Sequence, residues 1–120
     1  MPRFVVLQHD HPDRLHWDFM LEQGESLATW ALPMPPAWEH VLPARPLADH
    51  RREYLQYEGP VSGQRGTVVR WDEGQFEWVE NNAGCVVVDL KGRKIIGRAR
   101  IERAGRGSAG FHWYLTTEQS

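Results

Sequence analysis

"QHDHPDRLHWDFML", residues 8–21, carries two patterns at once. From Leu15 onward the residues alternate: Leu15, Trp17, Phe19 and Leu21 fall on one side, His16, Asp18 and Met20 on the other. A period of two predicts a β-strand with one face toward a core. The stretch also gathers three histidines and three aspartates into fourteen positions. Solvated surface does not need histidine, and a core disfavours aspartate, so the polar face of this strand calls for an explanation.

Working outward, the chain reads mostly as strands. "RFVVLQ" before the cluster is a short β-branched run, and "LATWAL" after it is a third candidate. "GTVVRWD" and "QFEWVE" are separated by "EG", which predicts a hairpin turn; "KGR" between "GCVVVDL" and "KIIGRARIE" predicts another. "GFHWYLTT" closes the chain after the glycine-rich turn "AGRGSAG". "MPPAWEHVLPARP" is too rich in proline for regular structure and reads as a long surface loop. "LADHRREYLQY" suits one or two helical turns. Short strands punctuated by turns predict a mainly β fold, a small antiparallel β-barrel with one or two short helices, in a single domain over residues 1–120. Its interior is expected to hold Trp17, Phe19 and the valines of "GCVVVDL".

A formal net charge of −2 argues against a dominant, sequence-independent nucleic-acid binder. The segment from Lys91 to Arg106 is nonetheless basic, and arginine far outnumbers lysine. Arginine is the better bidentate partner for phosphate or carboxylate, which hints at anion recognition; a GC-rich coding sequence would produce the same bias. The single cysteine, Cys85, excludes an intrachain disulfide and reads as a buried small hydrophobe. With no secretory pattern at the start and no long apolar run, the expectation is a cytoplasmic protein without a membrane partner.

His16 and Asp18, two apart on one strand, leave the same face. A hairpin between the first two strands would bring His9 beside His16. Two imidazoles and a carboxylate form a common ligand set for zinc, manganese or iron, and three protein ligands leave positions open for water and substrate. The same residues also suit a solvated hairpin. His11, in "HPD", reads as an exposed loop residue. His50, followed by Arg51 and Arg52 with Tyr54 four residues on, has the equipment to hold a phosphate and move a proton; it equally suits an exposed histidine on a charged turn.

Together these pieces resemble the 3′-phosphoesterase domain of bacterial DNA ligase D and its stand-alone relatives. The residues that carry the resemblance are "FVVLQH", "RLHWDFMLE", "TWALP", "ADHRREYLQYEG", "GTVVRWDEG" and "LKGRKIIGRARI", with "HWYLT" near the end. They span nearly the whole chain, in the family's order. The resemblance implies a small β-barrel that uses a divalent metal, typically manganese, with zinc or another transition metal also compatible. It implies removal of a 3′-terminal ribonucleoside and then a 3′-phosphate from a DNA primer strand. His9, His16 and Asp18 correspond to the metal ligands, His50 to a histidine on the scissile phosphate, and Tyr54 to the tyrosine behind it.

The chain departs from the family pattern at its anion clamp. Met20 stands where the family carries a phosphate-gripping arginine, and Met34 where a loop lysine is usual. Arg45, Arg51 and Arg52 are the candidates to bind substrate instead. The expected function is a divalent-metal-dependent 3′-end-processing phosphoesterase in DNA repair, with weakened or altered activity. Its partners would be a nucleic-acid 3′ end or another phosphorylated substrate, together with a DNA ligase or repair protein. The alternative is a non-catalytic barrel that binds nucleic acid or a partner and retains the metal.

Overall fold

The structure is a computed structural model that describes residues 1–36, 41–104 and 112–119. Ten strands follow in order: β1 (Arg3–Asp10), β2 (Leu15–Gln23), β3 (Ser26–Leu32), β4 (Val41–Pro43), β5 (Arg45–Arg51), β6 (Gly59–Pro60), β7 (Thr67–Asn82), β8 (Cys85–Gly92), β9 (Ile96–Ala104) and β10 (His112–Gln119). They form one antiparallel sheet in the order β4-β10-β9-β8-β7-β1-β2-β3-β5, with β6 beside β7. The two ends of this path, β4 and β5, are consecutive in the chain and separated by Ala44 alone. Ala44 donates its N–H to the Trp113 carbonyl at 2.7 Å. The sheet therefore curls round on itself, and a chain corner joins its edges in place of a hydrogen-bonded ladder.

The inner face is filled from every long strand but β5, by Phe4, Val6, Phe19, Leu21, Phe76, Val86, Val88, Leu90, Ile101 and Leu115 among others. Trp17 packs against this core from its margin, while Val87 points to the other face and is buried there. Alternation along β1 sends Val5 and Leu7 outward. They join Met20, Leu27, Leu55, Val61 and Val68 in a second, smaller apolar layer under residues 52–61. Strands β1 and β2 are thus covered on both faces, and the outer layer forms the floor beneath the histidine cluster.

Asp72, 2% exposed, ties the β8–β9 turn to the sheet. Its Oδ1 accepts from the backbone N–H of Glu73 and Arg93 at 2.8 Å and of Lys94 at 3.1 Å, and Oδ2 accepts from Ile95 at 2.9 Å.

Several expectations require correction. Residues 73 and 74 make no hairpin: β7 runs unbroken for 16 residues through both. Gly74 is there because a Cβ would sit 2.1 Å from the Lys91 carbonyl oxygen on β8. The proline-rich stretch contains β4 and the start of β5, edge strands in which a missing N–H is tolerated; residues 37–40 lie outside the described residues. The stretch "LADHRREYLQY" keeps one of its expected helical turns, the 3-10 helix Arg52–Leu55, while its first five residues belong to β5. Cys85 is half-buried at the start of β8, with Arg100 Nη1 3.7 Å from its sulfur. Burial, then the nearby Glu80, pushes its thiol pKa up. Most of the "AGRGSAG" turn lies outside the described residues.

Candidate metal centre and its flanking clefts

The β1–β2 register places His9 directly opposite His16, and Leu7 opposite Asp18. All these side chains emerge on the outer face, where His9 and Asp18 meet on the diagonal. His9 Nδ1 lies 3.1 Å from Asp18 Oδ2, and His16 Nε2 lies 3.0 Å from Asp18 Oδ1. One donor atom from each of the three residues falls within 4.8 Å of the others.

Backbone carbonyls orient both rings. A carbonyl can only accept, so His9 donates Nε2–H to Arg65 O at 2.7 Å, and His16 donates Nδ1–H to Arg14 O at 3.1 Å. The remaining nitrogens, Nδ1 of His9 and Nε2 of His16, both face the carboxylate. An outward N–H to a carbonyl and an inward lone pair is the arrangement that fixes metal-ligating histidines. Gly66 makes the first contact possible. It has a φ of +84°, and a Cβ there would fall 1.9 Å from the Asp10 carbonyl oxygen. Only glycine lets this loop lie against the end of β1 and present the Arg65 carbonyl.

Asp18 is 2% exposed, and its Oδ1, near His16 but off the line of a hydrogen bond, has no hydrogen-bond partner. Burial alone would raise its pKa. The adjoining His16 and His9 rings overcome that and hold it at about 2. When protonated on both nitrogens, His9 donates Nδ1–H to Asp18, and this bond shifts its pKa upward against the opposing effect of burial. A buried anionic carboxylate with an orphaned oxygen, between two inward lone pairs, fits a divalent transition metal.

A pocket of about 250 Å³ opens beside His9 and Asp18. Leu7, Met20, Val61 and Val68 line its apolar part, and His50, Arg51, Tyr54 and Arg65 its polar part. His50 donates Nδ1–H to Ala48 O at 2.9 Å, leaving Nε2 as its basic nitrogen. The Tyr54 ring packs edge-on against His50 at 5.7 Å, and Tyr57 packs edge-on against Tyr54. His50 and Tyr54 therefore share one pocket with the His9–Asp18 pair.

The three candidate arginines separate. Arg51 lines the pocket but pairs with Glu53 at 3.2 Å. Arg52 turns away to Glu22 at 2.5 Å and is not part of the pocket lining. Arg45 lies on the far side of His16, in a second cleft with His11, Asp13 and Arg14. Arg65 was not legible as a site residue: "SGQRG" reads as a plain turn, and only the tight "RG" hints at close packing. Met20, 1% exposed, belongs to the apolar floor, whereas Met34 is 43% exposed and away from the pocket. His11 is only partly exposed, with its ring edge-on to His9 at a centroid distance of 5.3 Å.

The family model of the DNA ligase D 3′-phosphoesterase domain matches residues 7–103. The chain belongs to this family. It is 35% identical over 109 residues to the multifunctional non-homologous end joining protein LigD of Mycobacterium bovis, covering 83% of this chain. The LigD proteins of Mycolicibacterium smegmatis and Pseudomonas aeruginosa are 31% and 29% identical over 87% and 94% of it. The matched part is 14–16% of the length of these relatives. As a 3′-phosphoesterase-domain member, the chain places the paired histidines and aspartate of its signature at the edge of a pocket. Among the described residues no helix is long and apolar enough to cross a membrane.

Proposed function

We propose that the chain is a divalent-metal-dependent phosphoesterase that trims 3′ ends, removing a 3′-phosphate or 3′-ribonucleoside during DNA repair. The observation that carries this reading is the convergence of His9, His16 and the orphaned Asp18 oxygen at the mouth of a pocket that also holds His50. Membership of the 3′-phosphoesterase-domain family supports the substrate class. The relatives named for non-homologous end joining support the repair setting.

His9 Nδ1, His16 Nε2 and Asp18 would hold the ion, with manganese as the leading candidate and zinc a second. Such an ion, when bound, polarises a phosphoryl oxygen and acidifies water. The chain supplies the rest. The Arg65 and Arg14 carbonyls keep the imidazole lone pairs turned inward. His50, with its proton fixed on Nδ1, offers Nε2 to take a proton from water or to bond a phosphoryl oxygen. Tyr54 holds that ring in place, and Arg51, paired with Glu53, and Arg65, bonded to Ser62, are the cations that line the pocket on this side. Met20 contributes volume without charge, which favours low turnover and keeps a binding-only role as the second reading.

The experiment is hydrolysis of a primer carrying a 3′-phosphate, with Mn²⁺ added or chelated. Metal-dependent release of phosphate that His16→Ala and His50→Ala both lose is the expected result. Absence of turnover with Mn²⁺ or Zn²⁺, together with retained binding of the 3′ end, supports the binding module instead.

A further inference from the structure

His16 has two neighbourhoods. Its Nε2 faces Asp18, and its ring also lines a cleft of about 460 Å³ with His11, Asp13, Arg14 and Arg45. This cleft begins where the ligand triad ends, on the side away from His50. Its two arginines come from separate elements: Arg14 ends the β1–β2 loop, and Arg45 opens β5. Four other arginines are engaged with carboxylates: Arg51 with Glu53, Arg52 with Glu22, Arg70 with Glu58 and Glu73, and Arg98 with Asp89. Arg14 and Arg45 have no ion pair with any described residue. Asp13 is the one acid among the described residues that line the cleft, and its side chain is 92% exposed, 3.8 Å from His11. His11 Nδ1 accepts the Asp13 backbone N–H at 3.1 Å, so the ring's proton sits on Nε2. Among the described residues, the cleft thus presents two guanidinium groups with no carboxylate partner and an imidazole N–H.

We infer that this cleft is a second anion subsite, which holds the phosphodiester one step along a nucleic-acid strand from the phosphate at the ligand triad. This rests on the reading of the triad as a 3′-end site and extends it. The substrate is then a strand lying across His16, with the terminal group on the His50 side and the neighbouring backbone phosphate clamped by Arg14 and Arg45. Guanidinium forks suit a tetrahedral anion with several acceptor oxygens. Apolar Met20 at the other flank makes this the better-equipped anchor for the strand.

The test is fluorescence anisotropy in EDTA, where no hydrolysis occurs, with 5′-labelled single-stranded thymidine hexanucleotide ending in a 3′-phosphate. Wild type is compared with Arg14→Gln/Arg45→Gln and with the double lysine variant across a salt series. The glutamine variant should bind roughly tenfold or more weakly. The slope of log affinity on log salt should become shallower by about 0.7, the value for one phosphate contact on a single strand. The lysine variant should keep the wild-type slope. Unchanged affinity and slope in the glutamine variant would overturn the subsite. Metal-dependent turnover by the wild type decides the triad reading separately: an inactive chain that shows the arginine-dependent slope keeps the cleft and loses the phosphoesterase assignment.

Discussion

Asp72→Ala is expected to be among the most destabilising single changes in this chain. The carboxylate takes four backbone N–H donors, three of them from the β8–β9 turn. Ile95 is buried, so its N–H would be left without a partner, at roughly 1–3 kcal/mol. Arg93 and Lys94 are exposed, and water can replace Asp72 there at a loss of about 0.5–1 kcal/mol each. With Glu73 the total reaches about 4 kcal/mol, against a whole-domain stability of roughly 5–15 kcal/mol. That corresponds to a melting temperature lower by roughly 15 °C. Asp72→Asn separates the contributions. With its oxygen in the Oδ1 position it keeps three donors and loses only Ile95, so it should lose about 2 kcal/mol. Urea unfolding followed by tryptophan fluorescence measures both. A loss below about 1 kcal/mol for the alanine variant, or equal losses for the two variants, would refute the assignment of Asp72 as the clasp of this turn.

Three other outcomes follow from the site. Calorimetry with Mn²⁺ should find one ion per chain and none in His16→Ala; undiminished binding in that variant removes the ligand assignment. The metal-free chain should be most stable between the ordinary values of 3.8 for Asp18 and 6.5 for His9. Asp18 is lowered, so its contribution is complete above 3.8 and disappears as pH falls through about 2; His9 is raised, so its contribution is complete below 6.5 and disappears as pH rises through its shifted value. Added Mn²⁺ should move the optimum upward, because a metal needs His9 unprotonated; melting curves in EDTA and in Mn²⁺ check both signs, and identical profiles contradict them. Met20→Arg should raise Mn²⁺-dependent turnover of a 3′-phosphate by about tenfold, since the stem can occupy the apolar floor while the guanidinium reaches the pocket; a folded variant no faster than wild type removes Met20 as the defect in the clamp.

The legible parts of the fold were those where alternation and local turns decide the outcome. β2 lies where its alternation places it, β1, β3 and β8 to β10 where apolar runs and the "KGR" turn place them, and the His9–His16–Asp18 constellation follows from one hairpin. The illegible parts depend on contacts distant in sequence. A turn signal is local, whereas the role of Gly74 is set by Lys91 on a neighbouring strand, so the Glu73–Gly74 pair carries no turn of its own. Pro43 and Pro46 argued against strands, but both sit on edge strands, where proline is tolerated. Arg65 and the split of Arg45 from Arg51 were hidden for the same reason. Which side of His16 an arginine reaches depends on how β5 and the loop before β7 close over the sheet, and spacing along the chain does not encode that.

The three candidate ligands and the pocket beside them differ in how far apart their parts lie along the chain. His9, His16 and Asp18 belong to a single hairpin, so a chain that has formed only β1 and β2 already has the whole donor set in register. His50 and Arg65 come from much later segments and reach the site only when β5 has turned the corner at Ala44 and the loop ending in Gly66 has settled on Asp10. Contacts of short sequence separation form early and cheaply, and those of long separation form late. On the reading proposed above, the hairpin brings the three donors into register first, and the same late loop that delivers Arg65 both turns the His9 ring toward the ion and completes the pocket for substrate.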